Sequence, residues 1–428
     1  MAIDSFVMGN SPRDELIRDT IKSALPQKSS FRTLSGKEPF SDDYICRVTA
    51  SDTDKMTAAL IELSFRYAAK IVVAVSCDEV DYSPIDYSVA EKSIDNMKQR
   101  LSTDYYEEVA ERYDYAAMKI QDFIEHGEDN YGNIIQHCWF LAKLDVCYRQ
   151  GVFPSDVNQF FTPADSATVK ELFELINLFH TDFLPKIITP YSKVVFNPDF
   201  GYGECLVGEV DCDMIVDSSI VDLRTGLGVG YPKTKVIKSL TYEMLTEINK
   251  ECNEQVFDID TLIFYSARYG EIEVFSVEEI PTEKFRSCVE KMMIVTEARY
   301  KNQKNPLPQF VPDMKFEDIE IQNSADDTNG GEYVNISSKP HQHSTPFADT
   351  IDITAQPPHQ VPPHSEYYDD GYNQVVPKQR RKFIRKLVII VLIFTLIIVG
   401  VLVVQRWYAD NVQFSSFKDI LNYFFSTE

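Results

Sequence analysis

Asp213, Asp222 and Arg224 are the residues in this chain whose types and spacing suggest chemistry. They lie in the stretch 208–226, where Cys212, Met214 and Val216 alternate with Asp211, Asp213 and Ile215. Asp217, Ser218 and Ser219 supply turn residues, and a second extended run follows from Ile220 to Arg224. This period and turn chemistry predict a β-hairpin or two adjacent strands. Residues i and i+2 of a strand share a face, so Asp222 and Arg224 point the same way. Across an antiparallel pair joined at Ser218, Asp213 lies nearly opposite them. Two carboxylates and a cation then converge on one patch, which suits a hard divalent cation such as Mg²⁺ or Mn²⁺. A neighbouring cation would orient a water or stabilise charge on a phosphoryl group. The plainer alternative is a hairpin edge carrying solvated acids, as expected in a chain of net charge −24.

Asp213 followed by Val221-Asp222-Leu-Arg224-Thr225 resembles the D…(D/E)-x-K core of the PD-(D/E)XK nuclease superfamily, the restriction-endonuclease-like fold. Phe196-Asn-Pro-Asp-Phe200 leads in, and Leu262-Ile-Phe-Tyr-Ser-Ala-Arg-Tyr-Gly270 follows as a strand ending in a turn. The resemblance covers roughly 40–280, with its specific part at 196–275. It implies an α/β fold, a restriction-endonuclease-like mixed sheet flanked by helices. It also implies Asp213 and Asp222 as metal ligands, DNA as substrate, and Glu171 or Glu174 on the preceding helix as an added ligand. Two positions depart from the pattern. Arg224 stands where the family has Lys, and its guanidinium holds its proton and is bulkier. Lys238-Ser-Leu-Thr-Tyr242 keeps the Tyr of a Gln-x-x-x-Tyr motif but places Lys at the Gln. Lys233, Lys235 and Lys238 are candidates for a lysine supplied from a neighbouring element. The function expected is metal-dependent phosphodiester hydrolysis; the alternative is a catalytically inactive nuclease-fold module serving as a tethered binding or scaffold protein.

The elements that must position these residues follow from hydrophobic period. Helices are expected over 14–24, 53–75, 88–101, 104–126 and 131–150, with the end of the second, 72–75, also readable as a strand. Thr162, Pro163 and Asp165 read as the N-cap, N1 and N3 of a helix running to about Leu184. Strands are expected at 194–196, 204–216, 219–223, 262–266 and 271–277, with helices at 233–253 and 282–300; 27–43 is polar and irregular. The resulting organisation is an α-rich N-terminal lobe (1–155), the α/β core (156–300), a linker (301–380), and a transmembrane helix with a short tail (381–428).

Ten of the 21 prolines fall in 301–377 among Ser, Asn, Gln and Asp. Such material buries too little apolar surface to offset its ordering entropy, so disorder is expected. Pro357-Pro358 and Pro362-Pro363 offer a docking point for a protein partner. Residues 387–404 carry no charge over 18 positions; as a helix they span roughly 27 Å, the hydrocarbon thickness of a bilayer. Six Lys/Arg precede this run, and Arg406 alone follows closely, placing the N-terminal body in the cytoplasm of a single-pass cell-membrane protein. The last 51 residues hold eight basic and three acidic side chains, leaving 34 basic and 63 acidic in the first 377. A body of charge −29 disfavours unaided gripping of long DNA. The eight cysteines show no CxxC spacing, so free thiols in a reducing compartment are expected.

Overall fold

Alternating buried side chains on the strands face two separate apolar clusters, one on each side of a single sheet. The computed structural model describes residues 12–310 apart from 52–53, 79, 81, 128–130, 202, 204–209, 252–256 and 301–308. The linker and the apolar run at 387–404 lie outside the described residues. Among those described, no helix is long and apolar enough to cross a membrane.

The sheet has six strands in the order β1 (Arg32–Thr33), β7 (Glu271–Ser276), β6 (Thr261–Ser266), β5 (Ser219–Arg224), β4 (Met214–Val216), β3 (Val194–Phe196). All neighbours are antiparallel except β5 and β6, which run parallel. A parallel pair needs a long crossover, and a helix at Lys233–Glu251 provides it. Helices α1 (Pro12–Ala24), α2 (Lys55–Ser76), α3 (Val89–Arg100), α4 (Thr103–His126), α5 (Tyr131–Gln150) and α6 (Ser166–Leu178) precede it; the crossover is α7, and α8 (Thr282–Tyr300) follows. Gln309–Phe310 (β8) pairs in parallel with Val152–Phe153 (β2) as a separate two-stranded ribbon. The protein is thus α/β, a mixed six-stranded sheet flanked by helices.

One face of the sheet presents Met214, Val216, Val221, Leu223, Ile263 and Tyr265 to the cluster shared with α2 to α6. Helices α2 to α5 of the region 1–155 therefore share one continuous core with the strands, while α1 packs on the other face. Phe65, Phe179, Phe183 and Tyr265 are essentially fully buried there and pack ring on ring. Each such aromatic contributes about 1.5–3 kcal/mol by burial. The other face sends Ile215, Ile220, Leu262, Phe264 and Phe275 against α1, α7 and α8. In α7, Val236, Leu240, Met244 and Ile248 recur at helical spacing on that buried side.

Several local expectations are corrected. The predicted strand at 204–216 is ladder-paired only from Met214 to Val216, with 204–209 outside the described residues. The helix expected to start at Thr162 starts at Ser166, because Asp165 is its N-cap and accepts the Thr168 amide (2.7 Å). Thr162 is occupied elsewhere: its carbonyl accepts a hydrogen bond from the buried Lys143 ammonium (2.7 Å). The helical run then passes through a π-turn over Phe179–Phe183 and continues to Ile187, reaching the expected end near Leu184. Residues 72–75 continue α2 rather than forming a strand. The polar stretch 27–43 contains β1, which pairs Arg32 with Val274 and Thr33 with Glu273. The six described cysteines are free thiols, five of them buried.

Glu243, on α7, is 4% exposed and its Oε2 has no hydrogen-bond partner. Burial, with Glu247 adding to it, pushes its carboxyl from 4.5 up to about 9, so the folded chain holds it protonated at neutral pH. An acid whose folded pKa is raised favours folding fully below the unfolded pKa, and the benefit is lost as pH rises toward the folded value. Glu243→Gln should therefore match the wild type near pH 4 and become relatively more stable between about pH 5 and 9. Urea midpoints across that range measure it; parallel curves for the two proteins would contradict the assignment.

Candidate functional site

The β4–β5 hairpin turns at Asp217 and Ser218, and Asp217 takes a positive φ of 53°. Aspartate tolerates that region better than most residues, and its Oδ1 accepts the Lys193 amide, tying the turn to β3. The register pairs Met214 with Val221 and Ile215 with Ile220. Continued by one residue, it sets Asp213 across from Asp222. Asp213 is 5% exposed, and its Oδ2 accepts the amide of Leu223 at 3.4 Å. The hairpin thus brings both sequence-predicted aspartates to one end of the sheet.

Arg224 goes elsewhere. Its guanidinium donates to Ser266 Oγ, lies 3.8 Å from Glu273 Oε2 and stacks over the Phe40 ring. Glu273 is fully buried, and burial raises its carboxyl pKa while Arg224 opposes the shift. Glu171 also stays apart from the aspartates. It pairs with the buried Arg268 and accepts the Ser51 amide (2.5 Å). Glu174 is partly exposed and pairs with Lys170.

What surrounds the aspartates is a set of cations from three helices. Glu62, Arg66 and Lys70 lie at i, i+4 and i+8 on α2 and so share one face. Arg66 pairs with Glu62 and lies 3.7 Å from Asp213 and 3.9 Å from Asp211. Lys70 lies 4.0 Å from Asp213 and donates to Asn197 Oδ1 (2.7 Å). Asn197 adopts φ 46° and donates in turn to the carbonyls of Pro84 and Asp86. From α5, Arg149 reaches Asp211 at 2.6 Å and also pairs with Asp145. From α7, Lys235 lies 3.5 Å from both Asp222 and Glu62, and Lys238 lies 3.9 Å from Asp211. The Tyr242 hydroxyl donates to the Asp211 carbonyl (2.6 Å), fixing α7 against the strand entry.

The electrostatics follow from this interleaving. Burial alone would raise the Asp211 carboxyl, but Arg149, Lys238 and Arg66 outweigh it and hold it well below the usual range. Glu62 behaves alike: burial raises it, Lys235 and Arg66 prevail, and it falls to about 2. Arg66 loses solvation on burial, yet Asp213, Glu62 and Asp211 drive its pKa upward. Cys212, between the two acids, is pushed well up by burial and by Asp213, which removes it as a thiolate nucleophile.

No family model, curated protein or solved structure matches the chain.

Beside Asp211 and Asp213 lies a small cleft of about 10 Å³, lined by Arg66, Tyr67, Lys70, Asp145, Arg149 and Asn197 among others. That is room for about one water molecule, and the lining is far more highly charged than the mostly apolar cavities that take cofactor-sized molecules. Among the described residues, no three His, Cys, Asp or Glu side chains are grouped so as to hold a metal ion. The acids are instead separated by cations of the chain itself. Mg²⁺ demands near-octahedral oxygen ligands, and to reach Asp213 and Asp222 it would have to displace Arg66 and Lys235. The residues as arranged do not fit a metal.

Sequence reasoning missed Glu62, Arg66, Lys70, Arg149 and Asp211. One signal was available: three charges at four-residue spacing on a helix whose other faces are largely apolar.

Proposed function

We propose that the chain is a membrane-anchored, cytoplasm-facing module of PD-(D/E)XK type whose acidic centre is neutralised internally, so that it binds or scaffolds rather than hydrolyses. The observation that carries this reading is the pairing of each acid with basic side chains: Asp213 with Arg66 and Lys70, Asp222 with Lys235, Asp211 with Arg149 and Lys238, Glu62 with Arg66 and Lys235. The mixed sheet flanked by helices and the aspartates facing each other across a hairpin support the nuclease-like resemblance. The removal of Arg224 to Ser266 and Glu273 supports the loss of activity, because that position would carry the lysine of the motif. Anchoring rests on the uncharged run 387–404 and its basic N-terminal flank. The proline pairs at 357–358 and 362–363 are the sites offered to a protein partner.

A second reading, a Mg²⁺- or Mn²⁺-dependent nuclease acting on DNA, is favoured by one observation: Lys235, a lysine from a neighbouring element, reaches Asp222. Purified full-length protein assayed on duplex DNA, single-stranded DNA and RNA with Mg²⁺ or Mn²⁺ separates the two. Cleavage no greater than that of Asp222→Ala is expected. Metal-dependent cleavage that Asp222→Ala abolishes would establish the enzyme. Deleting 383–404 should release the protein from the membrane fraction, and continued sedimentation with membranes would refute the anchor.

A further inference from the structure

Two tyrosine rings stand exposed side by side on the loop that enters α3. Tyr82 and Tyr87 are 47% and 61% exposed, and their rings meet edge to face at 5.3 Å. The backbone beneath them is held from several directions. The Asn197 side-chain amide donates to the carbonyls of Pro84 and Asp86, and Lys70 holds Asn197 in turn (2.7 Å). The Ser83 amide donates to Asp86 Oδ2 (2.9 Å) and the Tyr87 amide to the Glu91 carboxylate. Tyr87 takes a φ of 58°, a region that bulky residues seldom occupy. A third ring stands on the adjoining segment: the Asp78 amide donates to the Pro190 carbonyl (2.9 Å), and the exposed Tyr191 follows. Single exposed aromatics are ordinary, but a ring pair on a fixed loop is a preformed contact that no ligand has to order.

The chain that leaves the body indicates the occupant. β8 seats Phe310 opposite Phe153, so the linker departs from a defined point just beyond the end of α5. α5 also braces the tyrosine loop. Its Asp145 accepts the Tyr67 hydroxyl (3.2 Å), which accepts the Ala90 amide at the start of α3 (3.2 Å). Residues 311–356 then reach about 150 Å when extended, enough to return to that loop. The next stretch, 355–365, reads Ala-Gln-Pro-Pro-His-Gln-Val-Pro-Pro-His-Ser and carries no Asp, Glu, Lys or Arg, so the acidic body does not repel it. Proline-rich chain favours the polyproline II helix of three residues per turn, which puts Pro358 and Val361 on one face. Such segments dock on surfaces lined by aromatic rings, and tyrosine hydroxyls can donate to their backbone carbonyls.

We propose that Tyr82 and Tyr87 bind the chain's own proline segment 355–365, an internal clamp that holds the linker back against the body. The inference rests on the reading of the proline pairs as docking points, and not on the state of the acidic centre. A protein partner must then displace an internal ligand to reach the prolines. In the anchored chain, docking also shortens the free tether from residues 311–386, about 250 Å extended, to 364–386, about 75 Å.

The probe is a fluorescent synthetic peptide of residues 355–365, read by anisotropy with purified full-length protein. Wild type is compared with a quadruple variant carrying Pro357→Ala, Pro358→Ala, Pro362→Ala and Pro363→Ala, which vacates the tyrosines. Tyr82→Ala and Tyr87→Asn are each added to that quadruple variant; asparagine is tolerated at positive φ, and either one can be read alone. The quadruple variant should bind the peptide. Wild type should bind it about tenfold more weakly, for a tethered concentration on the order of 1 mM and a peptide Kd on the order of 0.1 mM. Each added tyrosine substitution should weaken binding at least about tenfold, as for an aromatic anchor. A quadruple variant that ignores the peptide overturns the proposal, as do tyrosine variants that bind it undiminished. Equal binding by wild type and quadruple variant also overturns the clamp, while leaving the prolines open to an outside partner. A concentration-dependent dimer of the wild type that Tyr82→Ala abolishes would assign the rings to a second copy and overturn it too. None of these outcomes touches the anchored, silent module, which DNA cleavage and membrane sedimentation test without reading the tyrosine pair.

Discussion

Arg268→Met is expected to lower the unfolding free energy by about 3–5 kcal/mol, the usual loss when one member of a buried ion pair is removed. Arg268 is 4% exposed and Glu171 2% at its side chain. The guanidinium donates to Glu171 and to the carbonyls of Thr225 and Val48. The Arg268 carbonyl accepts the amides of Arg47 and Val48. One residue therefore holds together the 47–51 segment, the exit of β5, α6 and the β6–β7 turn. Without it, the Glu171 carboxylate is left buried with only the Ser51 amide among its described partners. Urea unfolding at pH 7 measures the loss. Adding Glu171→Gln should recover part of it, because the stranded charge disappears. A loss below about 1 kcal/mol would mean that the pair is solvated rather than closed.

Arg66→Met carries the second large effect, again about 3–5 kcal/mol at neutral pH. It removes the cation shared by Glu62, Asp213 and Asp211. The pH dependence is a sharper signature than the magnitude. Glu62 is lowered from 4.5 to about 2, the cations outweighing its desolvation. A carboxyl with a depressed folded pKa contributes stability that is fully present above the unfolded value and lost as pH falls through the folded value. Between about pH 4.5 and 2 the wild type should therefore lose stability steeply, and Arg66→Met should lose less over the same interval. Urea midpoints from pH 2 to 7 decide this. Equal slopes would show that Arg66 does not govern Glu62.

The features legible in the sequence were those set by local period. The helix predicted at 104–126 is found at Thr103–His126, with Val109, Tyr113, Ala116 and Ile120 buried at helical spacing. The hairpin, its turn at Asp217 and Ser218, and the facing of Asp213 and Asp222 all follow from alternation and turn chemistry. The misses depended on partners distant in the chain. A two-residue strand at Arg32–Thr33 has no period to detect and exists because β7 is there to pair with it. Thr162 and Pro163 satisfied a local rule for starting a helix, but Lys143 had already claimed the Thr162 carbonyl. Arg224 shares a strand face with Asp222, yet Ser266 and Glu273 draw its guanidinium the other way. The charges that neutralise the aspartates come from α2, α5 and α7, and only the packing of these helices reveals them.

The first and last described helices touch: Ser23 Oγ lies 3.3 Å from Cys288 Sγ, and the Cys288 thiol donates to the Thr20 carbonyl. β1 likewise waits for β7. At ribosomal rates of about 5–20 residues per second, the segment around Thr20 emerges roughly 13–54 s before its partner near Cys288 has been made. During that interval the strands and α7 that share the cluster with α1 are made one after another, while β1 has no ladder partner until β7 is complete. The last closure of the sheet and of the α1–α8 contact therefore waits until nearly all of the described residues have been made.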